Sequence, residues 1–207
     1  PIEWQRFYNS RDARTGGLFG AGWSVPFEVE IVRDAHPDGG EQFVYIDEQG
    51  RRLGMGQVSA PDAFFNAGEG LAFRRAEDGR MVVESMDGIH RLFEQDPHDD
   101  ARLRLVLVGD RNENILQLRY DEQGRLCGIE EQEGPSRIAL FHSATHPRRV
   151  ERIETVPDED GQHMVLARYD YDAVGDLVQV IDATGEVVRR FAYDAGRRMT
   201  MRGEQSP

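Results

Sequence analysis

The sequence predicts an all-β protein in which successive antiparallel hairpins form a curved sheet. Apolar and polar residues alternate strictly, as at Leu103, Leu105 and Leu107, which is typical of strands with one buried face. Asp-Gly and Asn-containing pairs separate these stretches, and such pairs readily adopt the positive φ of tight hairpin turns. No window carries an apolar stripe of helical period, so no helix is expected.

The first residues of the chain differ in composition from the rest. Residues 1–26 place Trp4, Tyr8, Phe19 and Trp23 among glycines, which predicts an irregular segment anchored by aromatic side chains. We assign residues 1–100 to an N-terminal β region that begins with this segment, and residues 101–207 to a hairpin array.

Two connections and about thirteen strands are predicted along the chain. Residues 55–70, with Pro61 and three glycines and with Gly54 just before them, predict a long connection. Residues 157–161 predict an acidic hairpin loop.

A short phrase of tyrosine, aspartate and glycine recurs in the array. Gly175, Gly185 and Gly196 lie ten and eleven residues apart, the length of one strand plus one tight turn. In such a unit the tyrosine covers the sheet, the aspartate hydrogen-bonds the turn backbone, and the glycine accepts φ > 0. This points to a scaffold rather than a catalyst, and a structural role is assigned to Tyr120, Asp121, Gly124, Tyr171, Asp172, Gly175, Asp182, Gly185, Tyr193, Asp194 and Gly196.

The composition and charge of the chain exclude some classes of binding partner. The 207-residue chain has 38 acidic and 25 basic side chains and a formal net charge of −13, so nucleic acid is not an expected partner. The single cysteine, Cys127, excludes an internal disulfide. No apolar run approaches the ~18 residues of a membrane span and no signal peptide is present, so no membrane partner is expected. The chain begins at Pro1, and we interpret it as a piece of a longer protein.

Candidate chemical sites are weak. Asp110, Asn112 and Asn114 have the spacing of a calcium loop, but an isoleucine replaces the loop glycine and a strand pattern follows. His142 and His146 have the spacing of a helical zinc pair, which on a strand would separate the rings by about 13 Å. We therefore predict no catalytic, cofactor-binding or metal-ligating residue, and no enzymatic activity.

The repeat phrase resembles the YD repeats of the Rhs family of bacterial polymorphic toxins. The stretches Phe7-Tyr8-Asn9-Ser10-Arg11 and Gly17-Leu18-Phe19-Gly20-Ala21-Gly22-Trp23 look like the beginning of the Rhs core. Residues 110–121 are similar to another core stretch, whereas residues 55–100 match only in general style. Two departures are apparent: Asp176 stands where the repeat usually has arginine, and Asp194-Ala195-Gly196 is interpreted as one residue short.

The resemblance implies a fold and a function. The chain would be the N-terminal part of an Rhs core, in which YD-repeat hairpins form part of a larger β-cocoon shell. That shell would encapsulate a C-terminal toxin domain for delivery by type VI secretion in bacterial competition. The implied partners are the remainder of the shell, the toxin domain and secretion-spike proteins. The implied location is the bacterial cytoplasm before export, and a target cell or the exterior afterwards.

Two alternatives remain at this point. The chain could be an extracellular module that binds carbohydrate or a cell-surface partner through exposed aromatic residues and arginines, with Trp23 or Tyr171 as the residues to test. It could also be a hydrolase that uses a carboxylate pair, because 38 acidic residues make such pairs inevitable.

Overall fold

A computed structural model describes residues 2–57, 62–157 and 160–204, and this part of the chain contains eighteen β-strands and no helix. The all-β prediction is confirmed. None of the described residues belongs to a helix of the length and apolarity that a membrane crossing requires. The strands are β1 Phe7–Tyr8, β2 Trp23–Ser24, β3 Glu30–Ala35, β4 Glu41–Ile46, β5 Arg52–Gly56, β6 Asp62–Asn66, β7 Leu71–Arg75, β8 Met81–Ser85, β9 His90–Asp96, β10 Asp99–Gly109, β11 Ile115–Tyr120, β12 Leu126–Glu131, β13 Arg137–His142, β14 Val150–Thr155, β15 Val165–Tyr171, β16 Leu177–Asp182, β17 Val187–Tyr193 and β18 Met199–Glu204.

Sixteen of the described strands form one antiparallel sheet, and β1 and β2 form a separate pair. From β6 to β18 each strand pairs with the next one in sequence, so the chain advances hairpin by hairpin. The sheet does not close on itself within the described residues, because β6 and β18 end the pairing order. β10 begins at Asp99, so the predicted division after residue 100 falls inside this sheet.

The sheet divides at β10. One edge of this long strand pairs with β9 along most of its length. The other edge pairs with β3 around Leu103 and with β11 around Leu107. Two sets of strands therefore leave β10 on the same side, and β3 continues into β4 and β5.

The N-terminal strands pack against one another as two layers. The ring of Tyr45 on β4 lies 5.8 Å from that of Phe73 on β7 and 6.1 Å from that of Phe93 on β9, in edge-to-face geometry. All three side chains are buried. Aromatic pairs in this geometry stabilise a core beyond the area they bury.

Residues 2–29 are mostly irregular, in agreement with the segment predicted over residues 1–26, and they pack on the hairpin array. The name opening segment is used below for residues 2–29. The Phe19 ring centroid lies 4.6 Å from that of Tyr169 on β15. The Trp23 ring centroid lies 4.8 Å from that of Phe191 on β17. Both opening-segment side chains are buried, so these residues belong to the core.

Two expectations about connectivity need correction. The count of about thirteen strands is too low, since eighteen occur in the described residues. The long connection over 55–70 is also wrong, because β5 ends within it and β6 lies inside it. The sequence did not predict β5 because its Gly54 and Gly56 have no side chains to show an alternating pattern. They pair with β4 through backbone groups alone. Pro61 and part of the 157–161 loop, at 158–159, lie outside the described residues.

Candidate functional site: the repeat turns and the opening segment

Each repeat aspartate closes a five-residue turn. In the turn between β11 and β12, Oδ1 of Asp121 accepts hydrogen bonds from the backbone N–H groups of Gln123 (3.0 Å) and Arg125 (2.9 Å), and Oδ2 accepts one from Nε of Arg125 (2.7 Å). Although burial raises the pKa of Asp121, the backbone and side-chain hydrogen bonds from Arg125 outweigh it, and the pKa is lowered overall. Asp172, Asp182 and Asp194 accept the same pair of backbone hydrogen bonds in their own turns.

The same turn occurs at Asp110, outside the predicted repeat set. Its carboxylate accepts backbone hydrogen bonds from Asn112 (2.8 Å) and Asn114 (3.1 Å), and Nδ2 of Asn114 donates a third (2.8 Å). The spacing that looked like a calcium loop is therefore the spacing of a turn whose acceptors are already engaged. Among the described residues, no cluster of three or more His, Cys, Asp or Glu side chains is arranged to bind a metal.

Glycine occupies the position of positive φ in most of these turns but not in all. Gly124 has φ 74°, whereas Arg197 takes this conformation (φ 56°) in the turn of Asp194. The N–H of Arg197 donates to the carbonyl of Asp194 at 2.9 Å, as that of Gly124 does to Asp121. The turn of Asp194 therefore has the full length, and the interpretation that it is one residue short is wrong. Gly196 sits one position before the residue of positive φ.

The repeat tyrosines link neighbouring strands. The hydroxyl groups of Tyr120, Tyr171 and Tyr193 each donate to a carbonyl of the preceding strand at 2.6 Å. The acceptors are Leu105, Val150 and Leu177. Burial is the main cause that raises the pKa of all three phenols, so each remains a donor at neutral pH.

The array also holds the opening segment through polar contacts. Nε1 of Trp23 donates to the hydroxyl of Tyr193 at 2.8 Å. Arg149 donates to the carbonyls of Gly17 (2.6 Å), Thr15 (2.8 Å) and Gly175 (2.8 Å), and so joins the segment to a repeat turn. Sequence reasoning missed Arg149, because its partners Thr15 and Gly17 lie more than 130 residues away and no motif connects them.

Glu28 organises the segment from within. One carboxylate oxygen accepts the N–H of Leu18 (2.6 Å) and the other that of Val25 (3.1 Å). Burial raises the pKa of Glu28 to about 7, against the lowering effect of the Leu18 hydrogen bond and of the charges on Arg14 and Arg149. A carboxylate that receives two backbone donors in this way determines the path of the loop.

The histidine and aromatic side chains that were candidates for metal or carbohydrate binding form structural contacts. His142 and His146 each bond a backbone carbonyl through Nε2, that of Leu126 (2.9 Å) and that of Asp172 (3.1 Å). Trp23 is buried, and the Tyr171 hydroxyl is occupied by Val150. Of the two aromatic residues named for the carbohydrate-binding alternative, Trp23 is thus part of the core and Tyr171 is half-buried and packs against it.

Family models and named proteins are similar in sequence to this chain. A family model described as a domain of unknown function (DUF6531) matches residues 1–55, and one described as an RHS repeat matches residues 171–204. Double-stranded DNA deaminase toxin A of Burkholderia cenocepacia (strain H111) is 31% identical over 198 residues, covering 95% of this chain and 13% of that protein. Toxin protein Tse5 of Pseudomonas aeruginosa is 26% identical over 232 residues, covering 91% of this chain and 17% of that protein.

A solved structure, that of TcdB2-TccC3-TEV, aligns over 88% of this chain and 12% of its own, with 14% identity and a TM-score of 0.26. The strand pairing described above defines the fold. Family models match both the opening segment and the last repeats, and two named toxins align over more than nine-tenths of the chain. The chain belongs to the Rhs/YD-repeat family.

Proposed function

We propose that this chain is a wall segment of a β-shell that encapsulates a toxin domain located C-terminal to it in the same polypeptide. The chain spans 13% and 17% of two curated relatives that are named toxins, one of them a double-stranded DNA deaminase. Any enzymatic activity would then lie in the toxin domain, and this segment would act sterically. Its partners are the remaining shell, the enclosed domain and spike proteins of a type VI secretion apparatus, which takes the protein from the bacterial cytoplasm to a target cell.

One observation carries this proposal: from β6 to β18 the strands pair in an unbroken order. A sheet in which every strand from β6 to β18 pairs with the next can separate two compartments. The repeat aspartates form hydrogen bonds within the turns, and the repeat tyrosines form them with the neighbouring strands. Residues committed in this way stabilise a barrier and do not need a ligand.

Protease protection of the toxin domain in the full-length protein tests the proposal. We expect this domain to resist cleavage in the wild type and in a Phe65→Ala control, because Phe65 is 60% exposed and outside the core. Trp23→Ala, which removes a buried contact to the array, should make the toxin domain cleavable. Equal cleavage in the wild type and in a protein lacking residues 1–207 would rule containment out. Competition assays with and without a working type VI apparatus test the route of delivery.

An exposed aromatic pair keeps the surface-binding alternative open to test. Phe64 and Phe65 on β6 are 37% and 60% exposed, unlike Trp23. If the chain binds glycans, Phe65→Ala should abolish signals on a glycan array. Absence of any signal from the wild-type chain removes this alternative, and a hydrolytic activity screen addresses the carboxylate-pair hypothesis in the same way.

A further inference from the structure

A cavity of about 500 Å³ opens where β3 and β11 leave β10. β3 pairs with β10 as far as Arg104, and β11 begins to pair at Leu107, so a short stretch of the β10 edge lies between them. Leu18 and Phe27 of the opening segment contribute apolar walls. Most of the other lining side chains are charged or polar, so the cavity suits a polar ligand that can satisfy them by hydrogen bonds and ion pairs.

Five arginines line the cavity, and they differ in whether a carboxylate of the chain neutralises them. Three of the five are neutralised by carboxylates, and these pairs are Arg14 with Asp12, Arg102 with Glu30 and Asp96, and Arg125 with Asp121. Arg104 and Arg148 form no ion pair within the part of the chain that the structure describes. In a chain with 38 acidic side chains, these two guanidinium groups remain available to an external carboxylate.

Arg104 is also oriented in advance. Its guanidinium carbon lies 4.5 Å from the ring centroid of Tyr120, and the Tyr120 hydroxyl is bonded to the Leu105 carbonyl at 2.6 Å. The Nε atom of Arg104 is buried and has no hydrogen-bond partner. A stacked guanidinium loses little freedom when it binds, and its planar fork matches a carboxylate.

Acceptors in the same cavity complement these donors. Nε2 of His142 is bonded to the carbonyl of Leu126 at 2.9 Å, which leaves Nδ1 as an acceptor that is buried and without a partner. Asp99 adds a carboxylate to the lining, whereas the Glu28 oxygens already accept the N–H groups of Leu18 and Val25. These acceptors repel a polyanion but can receive the N–H groups of a peptide.

We propose that this cavity binds an extended peptide segment through an acidic side chain, whose carboxylate is received by Arg104 and Arg148. The N–H groups that flank the side chain donate to the acceptors of the cavity wall. The site does not depend on the containment role, because it needs only the fork of the sheet and the end of the opening segment.

Fluorescence polarisation with the 207-residue chain tests this site. The probes are two labelled pentapeptides of glycine and serine, one with a central glutamate and one with a central glutamine. We expect the dissociation constant of the glutamate peptide to be lower than that of the glutamine peptide by a factor of about ten or more. This is the difference expected for charge-assisted hydrogen bonds. Arg104→Gln and Arg148→Gln should each weaken its binding about tenfold, and the exposed Arg190→Gln on β17 is the matched control.

Arg148 is exposed, so its variant is expected to fold even if Arg104→Gln disturbs Tyr120. Equal binding of the two peptides, or unchanged binding in Arg148→Gln, would overturn the proposal. So would inorganic phosphate that displaces the glutamate peptide at lower concentration than free acetylglutamate does, because the cavity would then be a phosphate site. Failure of this assay leaves the protease-protection result unaffected.

Discussion

The strands from β3 to β10 and those from β11 to β18 cover their apolar faces in different ways. In the first region the cover comes from within, because Tyr45 of β4 packs on Phe73 and Phe93 of β7 and β9. In the second region it comes from elsewhere in the sequence, as Phe19 of the opening segment packs on Tyr169 of β15. A hairpin array in which each strand pairs only with its sequence neighbours stays one layer thick, so another segment must bury its face.

Removal of Trp23 is expected to have the largest effect. Trp23→Ala deletes a buried ring that contacts Phe191 and bonds Tyr193, and should lower the free energy of unfolding by about 3–5 kcal/mol. Hydrogen exchange should increase in β15–β18 more than in β7–β9, if the two regions are covered separately. Equal loss of protection in both would contradict the comparison. The exposed Phe65→Ala variant is the control and should change stability by less than about 0.5 kcal/mol.

The tyrosine hydroxyls provide a finer test. Tyr193→Phe leaves both the Trp23 N–H and the Leu177 carbonyl without their partner, and should cost about 2 kcal/mol. Tyr120→Phe frees only the Leu105 carbonyl and should cost about 1 kcal/mol. Urea unfolding of the two variants measures the difference. Equal costs would mean that the bond to the opening segment adds nothing to the stability of the array.

We expect the attachment of the opening segment to depend on pH through Glu28. The pKa of Glu28 is raised by burial to about 7 in the folded chain, from 4.5 for an unperturbed group, so the folded state binds the proton more tightly. Its contribution to stability is fully present below about pH 4.5 and is lost as the pH rises through 7. Urea midpoints between pH 4.5 and 8 should fall with pH in the wild type more than in Glu28→Gln. Parallel curves would contradict a raised pKa for Glu28 in the folded chain.

The smallest expected effect concerns the turn that joins the two regions. Glu113 has φ 62° in the turn between β10 and β11, and glycine adopts this conformation without strain. Glu113→Gly should raise the free energy of unfolding by about 0.5–1 kcal/mol. Glu122→Gly, at a position without positive φ, should instead lower it slightly. Thermal melts of both variants check the sign.

Local chemistry explains which elements were predictable. The turn at Asp121 could be expected because its donors, Gln123 and Arg125, lie within four residues. The turn at Asp110 was missed as a member of the repeat because Glu113 replaces the glycine that marks the others. β5 was missed because Gly54 and Gly56 carry no side-chain alternation, and only pairing with β4 makes them a strand.

The sequence by itself determined that this protein is a succession of antiparallel hairpins, and its motifs indicated the family. It could do so because the alternation of apolar and polar residues and the preferences of turn residues both involve only a few neighbouring positions. Both can therefore be recognised directly in the sequence. Only the tertiary structure decided that the opening segment covers the array, that Arg149 bonds Gly17, and that the sheet forks at β10 to leave a cavity. These features join residues far apart in the chain, and long-range packing leaves no periodic trace in the sequence that could specify its partner.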